Sequence, residues 1–130
     1  MNETALRRAW LAAVLALAAI IVIASLVPSA VVSPPTLSDK AMHYLAYFAL
    51  ALLGSGIAAP GMLWRTMLRC FLLGLGLEIA QALLTDQRSA EWADLVANAT
   101  GILTAWLIAA QLPASWGLHA ANWLLGRRPS

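Results

Sequence analysis

The 130-residue chain is 62% hydrophobic and 11% charged, against roughly a quarter charged residues in a soluble domain, and its mean hydropathy of +0.78 excludes an ordinary soluble fold. Four apolar runs, each near the ~20 residues that cross a bilayer, fill most of the length and leave no room for a second domain. A formal net charge of +2 excludes a nucleic-acid binder, and the single cysteine, Cys70, excludes an internal disulfide and reads as a packing residue.

The first apolar run covers 9–27 and follows Arg7 and Arg8. It is longer than the roughly 7–15-residue core of a secretory signal, and no clean small-x-small cleavage site follows it before Pro28. It is therefore expected to stay as a membrane helix. Pro28, Pro34 and Pro35 end it and keep the next segment extended. Ser38 then stands where a helix N-cap belongs, with Asp39 favourable at the positive helix end. The second span is expected over 40–59, before a Pro60-Gly61 turn, and Trp64, Arg65 and Arg69 mark a membrane edge. The third span, 67–84, is interrupted by Glu78 and Gln81, and a short charged loop follows. The fourth, 93–112, carries Asp94 and Asn98 near its start and stops at Pro113. In the tail, Trp116, Ala120 and Trp123 recur at helical spacing before Arg127 and Arg128, as in a helix lying at the interface. His119 reads as interfacial, and Trp64 and Trp92 as markers of the two interfaces. The expected fold is all-α: a bundle of four transmembrane helices over 1–112 and an interfacial tail over 113–130.

Cations on short flanks mark the cytoplasmic side of a membrane. With four spans, Arg7, Arg8, Arg65, Arg69, Arg127 and Arg128 share one side, while Lys40 and Arg88 fall on the other with Asp39, Asp86, Glu91 and Asp94. Both termini are thus expected inside and the two remaining loops outside, in a multi-pass protein of the bacterial cytoplasmic (inner) membrane.

This topology brings polar residues of three helices to one depth at the outer face. Asp39, His43 and Tyr47 follow i, i+4, i+8 and lie on one helix side; Glu78 and Gln81 are i, i+3; Asp94, Asn98, Gly101 and Ala105 share a stripe. Hydrocarbon is a poor neighbour for these groups, so the stripes are expected to face each other. Glu78 is either structural, held by Arg88 or Lys40 or protonated and hydrogen-bonded within the bundle, or else a ligand for a substrate cation or metal, or a general base. His43 is either oriented by Asp39 or, with Glu78, Asp94 and Asp39, part of a zinc- or manganese-type site. No His-x-Glu-x-x-His signature is present, so no metal and no cofactor are assigned. Arg88 suits the planar fork recognition of phosphate or carboxylate, with Lys40 as a second contact, or else pairs with Asp94 or Asp86. Asn98 reads as a cap or interhelical hydrogen-bonding group. Ala97, Gly101 and Ala105 form a small-residue face, with Gly74 and Gly76 of the third span as its counterpart. The expected ligand-binding set is Asp39, Lys40, His43, Tyr47, Glu78, Gln81, Arg88, Asp94 and Asn98, with Glu78 and His43 as the catalytic candidates if the protein is an enzyme.

The ordered set Asp39-Lys40-x-x-His43-Tyr44 with Tyr47, then Glu78-x-x-Gln81, Arg88 and Asp94-x-x-x-Asn98-x-x-Gly101, resembles the VanZ-like family of small bacterial membrane proteins over roughly 38–105. Two positions depart from that pattern: Asp86-Gln87 stand where a proline often precedes the arginine, and Ala105 replaces a second glycine. The resemblance implies a cell-envelope membrane protein, and the family's founding example is linked to resistance to the glycopeptide teicoplanin. Binding of a lipid-linked or glycopeptide-type envelope ligand is favoured over catalysis; the alternative is a small intramembrane enzyme acting on a lipid-linked phosphate. The candidate partners are membrane lipids, a lipid-linked cell-wall intermediate and a second copy of the chain. Proton-coupled transport is weaker, since no broken-helix repeat is visible.

Overall fold

The computed structural model describes residues 2–27, 38–84 and 91–126. Five helices run in order: α1 (Glu3–Leu26), α2 (Asp39–Ser55), α3 (Leu63–Leu84), α4 (Trp92–Ala109) and α5 (Trp116–Leu124). Three of them, α1, α3 and α4, are long and apolar enough to cross a membrane. Their outward side chains, among them Leu15, Ile20, Ile23, Leu72 and Leu107, are exposed. Apolar residues facing outward along spanning-length helices define a membrane protein.

The second helix is shorter than the expected 40–59. It has 17 residues, about 26 Å at 1.5 Å per residue, a little under the ~30 Å of a hydrocarbon core. Its end is set locally. The Ser55 hydroxyl donates to the Leu52 carbonyl at 2.6 Å, and the Gly56 N–H turns back to Leu53 O at 3.1 Å. The last turn tightens, and the chain reverses through Gly61, whose φ of 71° suits glycine. Its start is as expected: Ser38 Oγ accepts from the Ala41 N–H at 3.2 Å.

The other helices shift by a few residues. Asn2 caps α1 through Ala5 N at 2.8 Å, so this helix begins at Glu3, before the apolar run. Helix α3 begins at Leu63, ahead of the expected 67. Helix α4 ends at Ala109, where the Ala110 N–H is shared between Ile108 O and Trp106 O, and residues 110–112 form turns rather than the expected helix end.

The most extensive packing is between α2 and α4. At Gly101 a Cβ would run into the Tyr44 carbonyl oxygen and come within 3.0 Å of Phe48 N, so the two backbones touch there and only glycine fits. The small-residue face of α4 therefore meets α2, not the third span as expected. Gly76 faces open space, while Gly74 lies against the Tyr47 ring and the Asn98 amide, each 3.2 Å from where its Cβ would be. Tyr47, Leu50, Ala51, Met67, Ile102 and Ala105 form the centre of the core.

Helix α5 docks at the far end of α2. Gly117 N donates to Gly56 O at 3.0 Å and Ser115 N to Ala58 O at 3.1 Å. Trp116 Nε1 donates to Ser55 Oγ at 2.9 Å. Trp10 of α1 donates to Leu53 O at 2.8 Å and meets Trp116 edge to face at 5.9 Å. The donors from Gly117, Ser115 and Trp10 reach carbonyls at the end of α2 and its turn, where intrahelical partners run out, and Leu53 O also receives the Gly56 N–H. Trp123, Leu124 and His119 of α5 remain exposed.

Candidate functional site

Asp39, Lys40 and His43 stand on the first turns of α2, and Asp94 and Asn98 on the first turns of α4. The close crossing at Gly101 holds the two helices near enough for these side chains to meet. Asp94 and Asn98 are both buried, and each is engaged. Lys40 Nζ bonds Asp94 Oδ1 and also Glu91 Oε2, and lies 3.9 Å from Asp39 Oδ2. His43 Nδ1 donates to Asn98 Oδ1 at 3.0 Å. The other ring nitrogen, Nε2, faces two carboxylates, Asp94 Oδ2 at 3.7 Å and Asp39 Oδ2 at 3.9 Å.

Glu78 enters from α3. It is 6% exposed, and its Oε2 has no hydrogen-bond partner among the described residues. Its carboxylate receives the backbone N–H of Glu91 and lies within electrostatic reach of Asp94, His43 and Lys40. Tyr47, one turn deeper than His43, is buried, and its hydroxyl likewise has no partner among the described residues.

The expected site is thus assembled in part. Asp39, Lys40, His43, Asp94 and Asn98 form one cluster, with Glu78 beside it and Tyr47 beneath. Gln81 reaches elsewhere with its amide nitrogen, which donates to Ser25 O of α1 at 2.7 Å. Lys40 forms its direct ion pairs with Asp94 and Glu91 rather than with Glu78. Arg88 lies outside the described residues.

Glu91 is a member that the sequence expectation lacked. The signal was present in its spacing, since Glu91 precedes Asp94 by three residues and the two share one side of a helix start. It sits outside the spans, at the N-cap position of α4. The Lys40 ammonium beside it holds its carboxyl below the ordinary glutamate range.

Electrostatically the cluster is rich in acid. Among the described residues, Asp39, Glu78, Glu91 and Asp94 surround one lysine and one histidine, so the cluster offers acceptors to cations, amines and sugar hydroxyls and one fixed cation, Lys40, to an anion. Asp39, His43 and Asp94 each present one ligand-type atom, all within 4.8 Å of one another. By that spacing the three could hold a metal ion.

The opposite end of the bundle differs. Arg7, Arg65 and Arg69 line a largely apolar groove of about 530 Å³ between α1, α2 and α3. Arg7 donates to Ile57 O at 3.0 Å, and Arg65 stacks over Trp64 at 5.4 Å. The arginines and the acid-rich cluster are segregated to opposite ends.

No family model matches the chain, and neither a curated protein nor a solved structure does.

Proposed function

We propose that this chain is a four-span cell-envelope protein of VanZ-like type whose polar cluster binds a lipid-linked or glycopeptide-type envelope ligand at the outer face of the bacterial cytoplasmic membrane. Helix α2 is the fourth span, made long enough by the turn residues that follow Ser55, and α5 lies along the inner interface. The arginine-rich end faces the cytoplasm with both termini. The observation that carries the proposal is the convergence of Asp39, Lys40 and His43 of α2, Glu78 of α3 and Asp94 and Asn98 of α4 at one end of the bundle. Helix packing alone does not require so many ionisable groups at one depth, and their intramembrane cost points to use. Lys40 and, outside the described residues, Arg88 supply cations for a phosphate. The carboxylates and Asn98 supply acceptors for sugar hydroxyls and amines.

The test is mass spectrometry of lipids and cell-wall precursors that co-purify with the protein, together with the precursor profile of cells with and without it. A lipid-linked precursor bound to the wild type and lost in Asp94→Asn is the expected result; no bound precursor and an unchanged profile overturn the proposal. A reporter fused at Ser89 that reads as cytoplasmic overturns the orientation. The enzyme alternative draws on one observation, the unpartnered buried oxygen of Glu78, which suits proton transfer. It gains ground if Glu78→Gln removes the cellular effect while the amount and thermal stability of the protein are unchanged.

A further inference from the structure

We infer that the groove between α1, α2 and α3 at the arginine end is a binding site for an anionic glycerophospholipid, with the headgroup phosphate among Arg7, Arg65 and Arg69 and an acyl chain along the apolar walls below them. The inference begins with three like charges on one rim. Arg65 and Arg69 stand four residues apart on one side of α3, and Arg7 reaches the same groove from α1. Like charges at that spacing on a helix repel. Among the described residues none of the three arginines forms an ion pair, and no carboxylate lines the groove. The rim therefore holds positive charge for an anion to balance.

The arrangement fits a lipid better than a small water-soluble anion. Arg7 donates to Ile57 O at 3.0 Å, which uses one of its five N–H donors. The Arg65 guanidinium stacks over Trp64 at 5.4 Å, an aromatic of the kind that marks headgroup depth. The remaining N–H groups, and those of the exposed Arg69, are left for a phosphate, which a guanidinium grips through its planar fork. Below the rim the walls are Leu11, Val14, Leu15 and Ala18 of α1, Leu50 of α2 and Leu73 of α3. From Arg7 to Ala18 the groove follows α1 for about 16 Å at 1.5 Å per residue, close to half of the ~30 Å hydrocarbon core. It is thus one leaflet deep, and the exposed Leu11 and Leu15 open it sideways to lipid. Basic pockets between membrane helices hold acidic lipid headgroups in this way.

The groove selects a headgroup of net negative charge. A zwitterionic headgroup brings an ammonium, and among the described residues no carboxylate lines the groove to receive it. The Ile57, Ala58 and Ala59 carbonyls that border it already accept, from Arg7, Ser115 and Met62. In the proposed orientation this is the cytoplasmic leaflet. The site stands without the envelope-ligand proposal, since it lies at the end of α2 remote from Lys40 and His43.

The test is native mass spectrometry of detergent-purified full-length protein with added phosphatidylglycerol, phosphatidylcholine or inorganic phosphate. Phosphatidylglycerol should be retained several-fold more strongly than phosphatidylcholine, and inorganic phosphate should not be retained. Arg65→Gln and Arg69→Gln should each weaken phosphatidylglycerol binding about fivefold, the equivalent of about 1 kcal/mol for one cation at an anionic lipid surface. In the wild type, phosphatidylglycerol with a photoreactive acyl chain should label Val14, Ala18 or Leu73, a readout that needs no variant to fold. Equal retention of the two lipids, equal retention of inorganic phosphate, or unchanged binding in a folded protein carrying both substitutions each overturns the site. So does labelling spread evenly over outward side chains such as Leu72 and Leu107. Phosphatidylglycerol bound without any co-purifying precursor leaves this site and overturns only the envelope-ligand proposal; a precursor lost in Asp94→Asn, with no preference for phosphatidylglycerol, does the reverse.

Discussion

At one end of the bundle, the groups that need partners are backbone carbonyls. Leu53, Gly56, Ile57 and Ala58 end α2 and its turn, and they are met by Trp10, Gly117, Arg7 and Ser115. Each donor answers one carbonyl, and Arg65 and Arg69 stay exposed. At the other end, the groups are charged side chains that meet each other: Lys40 between Asp94 and Glu91, and His43 between Asn98 and two aspartates. The first arrangement is what helix termini require. The second holds more acid than capping or packing uses and leaves Glu78 Oε2 without a partner. Among the described residues, the buried Glu78 Oε2 without a partner at one end and the answered carbonyls at the other are what separate the two ends.

The largest test of that contrast is at the crossing that builds the acid end. Gly101→Leu must push α4 off the Tyr44 carbonyl and should cost on the order of 3 kcal/mol or more, lowering folded yield and separating Asp94 from His43. Gly76→Ala, on an open face, is the control and should be neutral or stabilising by up to about 1 kcal/mol. Thermal unfolding in detergent reads both, and an equal loss in the two would remove the special status of the crossing.

Trp10→Ala comes next, at the closing end. It removes the hydrogen bond to Leu53 O and the ring against Gly56 and Gly117, and should cost roughly 3 kcal/mol. Limited proteolysis should then release the tail around α5 while the acid-end chemistry persists. Loosening of the α4 start in this variant, read by hydrogen exchange, would show that the two ends are coupled.

Asp94→Asn should cost less, about 1–2 kcal/mol. The buried carboxylate loses its charge-assisted bond, but the partly exposed Lys40 keeps Glu91. A neutral result by thermal unfolding would place Asp94 in function alone.

The smallest effect is acid titration of Glu91. Its folded-state carboxyl is held below the ordinary value of 4.5 by Lys40, so its stabilising contribution is present above that value and is lost as pH falls through the lower one. Loosening of the α4 start, followed by hydrogen exchange, should appear only in that acid range and vanish in Glu91→Gln. Loosening between pH 5 and 7 would assign it to another group.

Much of this was readable before any coordinates. Ser38 as a cap, the depth shared by His43, Glu78 and Asp94, and the segregation of arginines follow from charge placed on an apolar chain. What did not follow was partner choice. Helical spacing puts Gly101 and Asn98 on one stripe, but periodicity is silent about which neighbour that stripe meets, and α2 rather than the third span proved to be the partner. Lys40 and Gln81 have long side chains whose reach covers several acceptors; Glu91 and Ser25 were chosen by rotamer and crossing angle, which no spacing encodes. The 17-residue length of α2 was hidden for a different reason: hydropathy continues through Ile57, Ala58 and Ala59, although Gly56 has already turned the chain.

The bond from Gln81 to the Ser25 carbonyl has a consequence for how the protein is made. Helix α1 faces outward along most of its length and is held at one end by Trp10 and Arg7 and at the other by Gln81. The partners of Trp10 and Arg7 lie at the end of α2, but Gln81 is synthesised nearly a whole helix later. In order of synthesis α1 therefore meets its partners in three stages: the end of α2 first, Gln81 of α3 next, and Trp116 and Gly117 of α5 last, so the first helix is not fully fastened until the last one has been made.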